Sequence, residues 1–237
     1  MSDATSPPKP AEFDGFAADY DAALNKGISL SGEPKDYFIG GRINFLRRTL
    51  HRLQLTPRKP RVIDFGCGTG SSFSTLRRVL DAVEVIGIDV SGAELEIARR
   101  ENPWARAYEA DNAPADLSAD LAYSNGTFHH IPPAERPGVV SRIYSQLKPG
   151  GIFALWENNP WNPGTRMVMK RIPFDRDAIT LSAPETRRMV QGAGFELLRT
   201  DFMFIFPRSL AVLRGVEPAL SCLPMGAQYQ VLCRRPG

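Results

Sequence analysis

Three glycines in five positions, Gly66, Gly68 and Gly70, follow the apolar run VIDF, which itself contains an acid, Asp64. Glycines let a ligand approach the backbone, and a helix opening behind such a turn aims unsatisfied N–H groups and a positive dipole at it. The spacing is G-x-G-x-G, one position short of the dinucleotide pattern. Asp89, nineteen residues past Gly70, ends a second apolar run, where it can accept both hydroxyls of a ribose. Asp64 selects the sign of the ligand: a carboxylate beside a pyrophosphate repels it, whereas beside a nucleoside carrying an ammonium and a sulfonium it attracts. A second group able to do chemistry is the pair His129-His130, with Glu157 further along. Each is a candidate general base for a protonated nucleophile. The structural alternatives are a histidine that caps or packs the turn before Pro132, and Glu157 as an ion-pair partner of Arg166. Cys67 sits inside the glycine turn, where its small size suffices to explain it. Cys67, Cys222 and Cys233 have no metal-ligand spacing, and no metal site is expected.

The elements that must position these residues follow from periodicity. Apolar residues at helical spacing predict helices over 12–26, through Phe13, Phe16, Tyr20 and Leu24, and over 37–53. From residue 61 strands and helices alternate. Strands are expected at 62–65, 83–89, 105–109, 121–124 and 152–157, with helices at 72–80, 92–101 and 137–147 between them. Continuous apolar strands with helical crossovers imply a mainly parallel sheet covered on both faces. Ser182-Ala183-Pro184-Glu185 has the form of a capping box and opens a helix that closes at Gly192 or Gly194. Two more strands, 195–206 and 228–235, flank an amphipathic stretch at 209–223.

Taken together these segments resemble the class I S-adenosylmethionine-dependent methyltransferases. VIDFGCGTG (62–70) is similar to their first motif, VIGIDVS (85–91) to the acidic second-strand motif, and EADNAP (109–114) to the segment that touches adenine. DLAYSNGTFHHIP (120–132) resembles the fourth-strand motif, LKPGGIFALWEN (147–158) the helix-turn-strand after it, and FDGFAADYD (13–21) the helix that closes over the cofactor. The resemblance implies a Rossmann-like α/β fold: a seven-stranded, mostly parallel sheet with helices on both faces and an antiparallel last strand. It implies S-adenosyl-L-methionine as cofactor. Asp64, Gly66, Gly68 and Gly70 would then face its methionine end, Asp89 its ribose, Val90 the adenine face, and Asp111 and Asn112 the adenine edge. Asn125 would contribute near the methionine, and Tyr20 would lie over the site.

Residues 1–11 read as a disordered tail and 12–237 as one domain, with 12–55 a helical cap and 158–182 and 207–227 insertions on the substrate side. The first insertion carries Trp161, methionines, Arg166, Lys170, Arg171 and Arg176, which suits an amphipathic acceptor with an anionic end. The second aligns Leu210, Leu213, Val216 and Leu220 between Arg208 and Arg214; it docks on its own domain, makes a dimer contact or touches a membrane surface. Lys and Arg exceed Asp and Glu by only three (29 against 26), so nucleic acid is not an expected partner. Few cysteines and no apolar leader point to the cytoplasm. The expected function is methyl transfer to a small or lipid-like acceptor, oxygen ahead of carbon or nitrogen. The alternatives are C- or N-methylation in a natural-product or quinone-type pathway, a nicotinamide-dependent oxidoreductase, and a non-catalytic cofactor-binding protein.

Overall fold

The computed structural model describes residues 27–176 and 178–237; Tyr20 and the helix expected over 12–26 lie outside them. Among the described residues, a 3-10 turn (Ser29–Ser31) leads into helix α1 (Lys35–Arg52), followed by strand β1 (Arg61–Phe65), α2 (Phe73–Leu80), β2 (Glu84–Asp89), α3 (Gly92–Glu101) and β3 (Arg106–Glu109). After these run β4 (Ala119–Asn125), α4 (Arg136–Gln146), β5 (Leu147–Asn158), α5 (Pro163–Met169), α6 (Ala183–Gly192), β6 (Glu196–Met203), α7 (Glu217–Leu220) and β7 (Gln228–Arg234). The strands form one seven-stranded sheet in the order β3-β2-β1-β4-β5-β7-β6. β1 pairs in parallel with β2 and β4, and β7 is antiparallel to both β5 and β6. Only β7 therefore runs against the rest. This is the expected fold.

Alternation along β1 divides the core in two. Val62 and Ile63 are both fully buried but point to opposite faces of the sheet. On the Val62 face lie Ile43, Leu46 and Leu50 of α1, Phe73 and Leu76 of α2, and Leu95 of α3. On the Ile63 face lie Val140 and Ile143 of α4 and Val190 of α6. Fully burying each such side chain contributes roughly 1.5–3 kcal/mol. The expected capping box of α6 is present, with Ser182 and Glu185 satisfying each other's turn.

Three boundaries differ from the sequence reading. β5 starts at Leu147, because Lys148–Gly151 continue the strand as an irregular extension instead of an isolated turn. β6 stops at Met203, because Phe204 adopts a left-handed backbone (φ 61°) that no strand sustains. The 209–223 stretch is a 3-10 run, Arg208–Val216, kinked at Leu210 and followed by the short α7. Leu210, Leu213 and Val216 are spaced by three, which is the 3-10 period itself. Among the described residues, no helix is long and apolar enough to cross a membrane.

Candidate active site

The strand order reverses between β1 and β4, and the residues singled out from the sequence collect at the carboxyl ends of the strands there, where open α/β sheets bind ligands. Gly66, Gly68 and Gly70 all have positive φ, at 73°, 51° and 74°. A Cβ at Gly66 would run into the side chain of Thr127, so the turn is closed to anything larger. Asp89 completes the cradle from β2. Its two carboxylate oxygens accept from Gly68 N at 2.7 Å and from Ser91 N at 3.0 Å, tying the glycine turn to the start of α3.

Asp64 lies behind the turn at 2% exposure, and its Oδ2 has no hydrogen-bond partner among the described residues. Burial, and then the Asp89 charge, push its carboxyl up to about 8, while Arg42 opposes them. A buried carboxylate of this kind is costly unless a cation meets it. Arg42 was missed in the sequence although it left a signal: a cation inside the apolar stripe of α1, one residue before Ile43. It donates to Tyr123 Oη at 3.0 Å and to Gln228 Oε1 at 2.9 Å, bracing α1 against the sheet edge.

The ends of β4 and β5 bring the second group together. Glu157, 1% exposed, accepts from Phe128 N at 2.8 Å and from His129 Nδ1 at 2.6 Å. A carboxylate only accepts, so His129 carries its hydrogen on Nδ1. Arg166 is not Glu157's partner. His129 Nε2 and His130 Nε2 lie 3.5 Å and 3.3 Å from the same oxygen, Oδ1 of Asp175. Burial works against charge on His129, but Glu157 and Asp175 outweigh it and push the imidazole up to about 10. Burial likewise works against charge on Asp175, yet the two imidazoles beside it hold its carboxyl below the usual range. Asp175 was missed in the sequence. It ends a 3-10 turn, Pro173–Asp175, inside the 158–182 insertion, which stands out in the sequence for its aromatic, methionine and cationic residues.

This group forms part of the wall of a cavity of about 480 Å³ bounded, among the described residues, by α1, α5, the 204–207 segment and the end of β4. Tyr37, Phe38 and Phe204 cluster on one side with ring centroids 5.0–5.9 Å apart, Phe38 meeting both of the others edge to face. Asn125 reaches the same cavity with a buried Oδ1 that no described residue bonds. The other expected cofactor residues lie further out. Val90 is exposed, Asn112 bonds Glu109 at 3.0 Å, and the Asp111 side chain is 98% exposed.

A doubly wound sheet with a glycine turn and two acids at its switch point defines an α/β protein built around a nucleoside cofactor. A family model described as a methyltransferase domain matches residues 38–200, and the chain belongs to the class I S-adenosylmethionine-dependent methyltransferases. It is 33% identical over 119 residues to a trans-aconitate 2-methyltransferase of Variovorax paradoxus, covering 49% of this chain and 45% of that protein. It is 28% identical over 178 residues to a carboxy-S-adenosyl-L-methionine synthase of Campylobacter curvus, covering 63% of this chain and 75% of that protein. The chain thus spans about half the length of the first of these relatives. A solved S-adenosylmethionine-dependent methyltransferase from Mesorhizobium loti shares the fold with a TM-score of 0.57 at 21% identity, over 79% of this chain and 96% of that one.

The cofactor is S-adenosylmethionine, and the residues present fit it. The cradle's glycines admit close approach, and Asp64 Oδ2 is a buried acceptor without a hydrogen-bond partner among the described residues, which a methionine ammonium would suit.

Proposed function

We propose that this methyltransferase acts on a hydroxyl oxygen of a small, largely apolar acceptor held in the cavity beside His129, with no nucleic acid involved. The observation that carries the reading is the composition of that cavity: aromatic and aliphatic side chains such as Phe38, Ile172, Phe174 and Phe204 share its lining with the cluster His129, His130, Asp175 and Asn125, and of its charged residues Arg214 is paired with Glu33. When bound, S-adenosylmethionine supplies a methyl group on an already activated sulfur leaving group. The chain then has chiefly to align an oxygen in line with it, a contribution of roughly 7–11 kcal/mol. Asp64, the three glycines and Asp89 hold the cofactor; Val90, Asp111 and Asn112 form the rim on its adenine side. Glu157 fixes the tautomer and direction of His129, and Asp175 binds both imidazoles. This imidazole–carboxylate group positions the acceptor oxygen, and the hydroxyl proton leaves to water as the carbon–oxygen bond forms and the carbon–sulfur bond breaks.

The relatives named for trans-aconitate take a tricarboxylate. Here Arg42 is committed to Tyr123 and Gln228, which supports a less anionic acceptor. A lipid-like acceptor is the second reading, favoured by Leu210, Val212, Leu213 and Val216, all exposed on the segment that supplies Pro207 and Arg214 to the cavity rim. The test is a mass-spectrometric screen of hydroxyl, amine and carbon acceptors with the labelled cofactor. Gain of one methyl on apolar alcohols or phenols is expected. Turnover confined to amines or carbon acids would overturn the reading.

A further inference from the structure

We propose that His129, His130 and Asp175 form a divalent-metal site at the polar end of the cavity, with Glu157 as the outer carboxylate that orients His129. The inference rests on the acceptor cavity proposed above and adds how the acceptor's oxygen is activated. One donor atom from each of the three residues lies within 4.8 Å of the others. Asp175 Oδ1 stands 3.5 Å from His129 Nε2 and 3.3 Å from His130 Nε2. Ligands bound about 2.1 Å from a tetrahedral ion sit about 3.4 Å apart, so both nitrogen–oxygen edges already have the right length.

His129 supplies the second, independent observation. Its ring is 2% exposed, and its Nε2 is buried with no hydrogen bond among the described residues, aimed at Asp175. Its Nδ1 meets Glu157 at 2.6 Å, the arrangement by which an outer carboxylate sets the tautomer of a metal-binding histidine. An ion would take the place of the proton at Nε2. The backbone holds both ligand-bearing turns in place: Ile179 N donates to His129 O at 2.9 Å and Asp175 N to Ile172 O at 3.1 Å.

Two imidazoles and one carboxylate suit a first-row ion such as Zn²⁺, Co²⁺, Fe²⁺ or Mn²⁺ better than Mg²⁺ or Ca²⁺. Three protein ligands leave a position open, and the cavity lies on that side. An acceptor hydroxyl oxygen placed there loses its proton more readily because the ion stabilises the alkoxide, the proton leaving to water.

The test uses tag-free, chelator-stripped full-length protein titrated with Co²⁺, followed by visible absorption, and with Zn²⁺ by calorimetry. Saturation at one ion per chain is expected. His130→Ala and Asp175→Asn should each weaken binding at least tenfold, and Glu157→Gln by ~10–100-fold, while binding of S-adenosylhomocysteine and the circular dichroism spectrum stay as in the wild type. His130→Gln, closer in shape, serves if His130→Ala does not fold. Absence of saturable binding, or equal binding by the variants, overturns the site. Stripped protein that still methylates hydroxyl acceptors at the full rate overturns the inference and leaves the acceptor reading standing. One bound ion with no hydroxyl acceptor turned over does the reverse.

Discussion

Replacing Asp64 by Asn removes a buried ionisable carboxyl and keeps the shape, and its effect should depend on pH. The Asp64 carboxyl goes from an ordinary 3.8 to about 8 on folding, burial being the main cause and Asp89 the next. Between those two values the folded chain holds a proton that the unfolded chain has released, so the contribution to stability falls as pH rises. Each unit is worth about 1.4 kcal/mol. From pH 5 to pH 7 the wild type should lose about 2.5 kcal/mol that the Asn variant does not lose. In a chain of this size that corresponds to roughly 5–10 °C in Tm. Thermal melts of the cofactor-free proteins at several pH values between 5 and 8 measure it directly. The variant's Tm should rise relative to wild type with increasing pH, and saturating S-adenosylhomocysteine should close part of the gap by bringing an ammonium to the wild-type carboxylate. Parallel Tm-against-pH curves for the two proteins would refute the claim that Asp64 is a buried carboxyl lacking a cation.

The remaining expectations are shorter. Asp89→Ala removes a charged acceptor from the cofactor cradle and frees Gly68 N, so calorimetry should show cofactor binding weakened by roughly 1.5–3 kcal/mol. Gly66→Ala forces a Cβ into Thr127 at a left-handed position, which costs at least about 1–2 kcal/mol from the backbone alone and should lower Tm and cofactor affinity together. Glu157→Gln leaves the His129 imidazole and Phe128 N with a neutral partner; kcat should fall by about tenfold or more in a turnover assay, with KM for the cofactor unchanged.

What the sequence made legible follows the periodicities that physics imposes. β1, β2 and β4 read as short apolar runs because both faces of a parallel sheet are buried, and Gly66, Gly68 and Gly70 stood out because the turn needs positive φ at those three positions. His129 and Glu157 could be paired in advance only as neighbours on one sheet edge; their 2.6 Å contact follows from β4 and β5 being adjacent. Asp175 was not legible. It reaches the histidines through α5 and a 3-10 turn, elements with no repeating apolar pattern, and nothing in PFDRD distinguishes its first acid from its second. The 209–223 stretch misled because a stripe at i, i+3, i+6 fits either an α-helix or a 3-10 run, and Pro207, Gly215 and Pro218 break the longer one.

Charge bookkeeping at the switch point leads to a last expectation. Methyl transfer destroys one positive charge, the sulfonium, and keeps the other, the ammonium. An acid held against the sulfonium stabilises the starting state more than the transition state and slows the reaction; an acid held against the ammonium costs nothing in rate. Asp64 is buried behind the glycine turn next to Asp89, and the charge it takes up when a cation arrives finds no hydrogen bond on Oδ2 among the described residues. An efficient enzyme must spend it on the ammonium. Asp64→Asn should therefore weaken S-adenosylmethionine and S-adenosylhomocysteine by the same factor, to within about threefold, because both carry the ammonium and only one the sulfonium. Calorimetric titration of the variant with both compounds decides the matter. A loss confined to S-adenosylmethionine would place Asp64 against the sulfur and require the rate acceleration to come entirely from alignment of the acceptor.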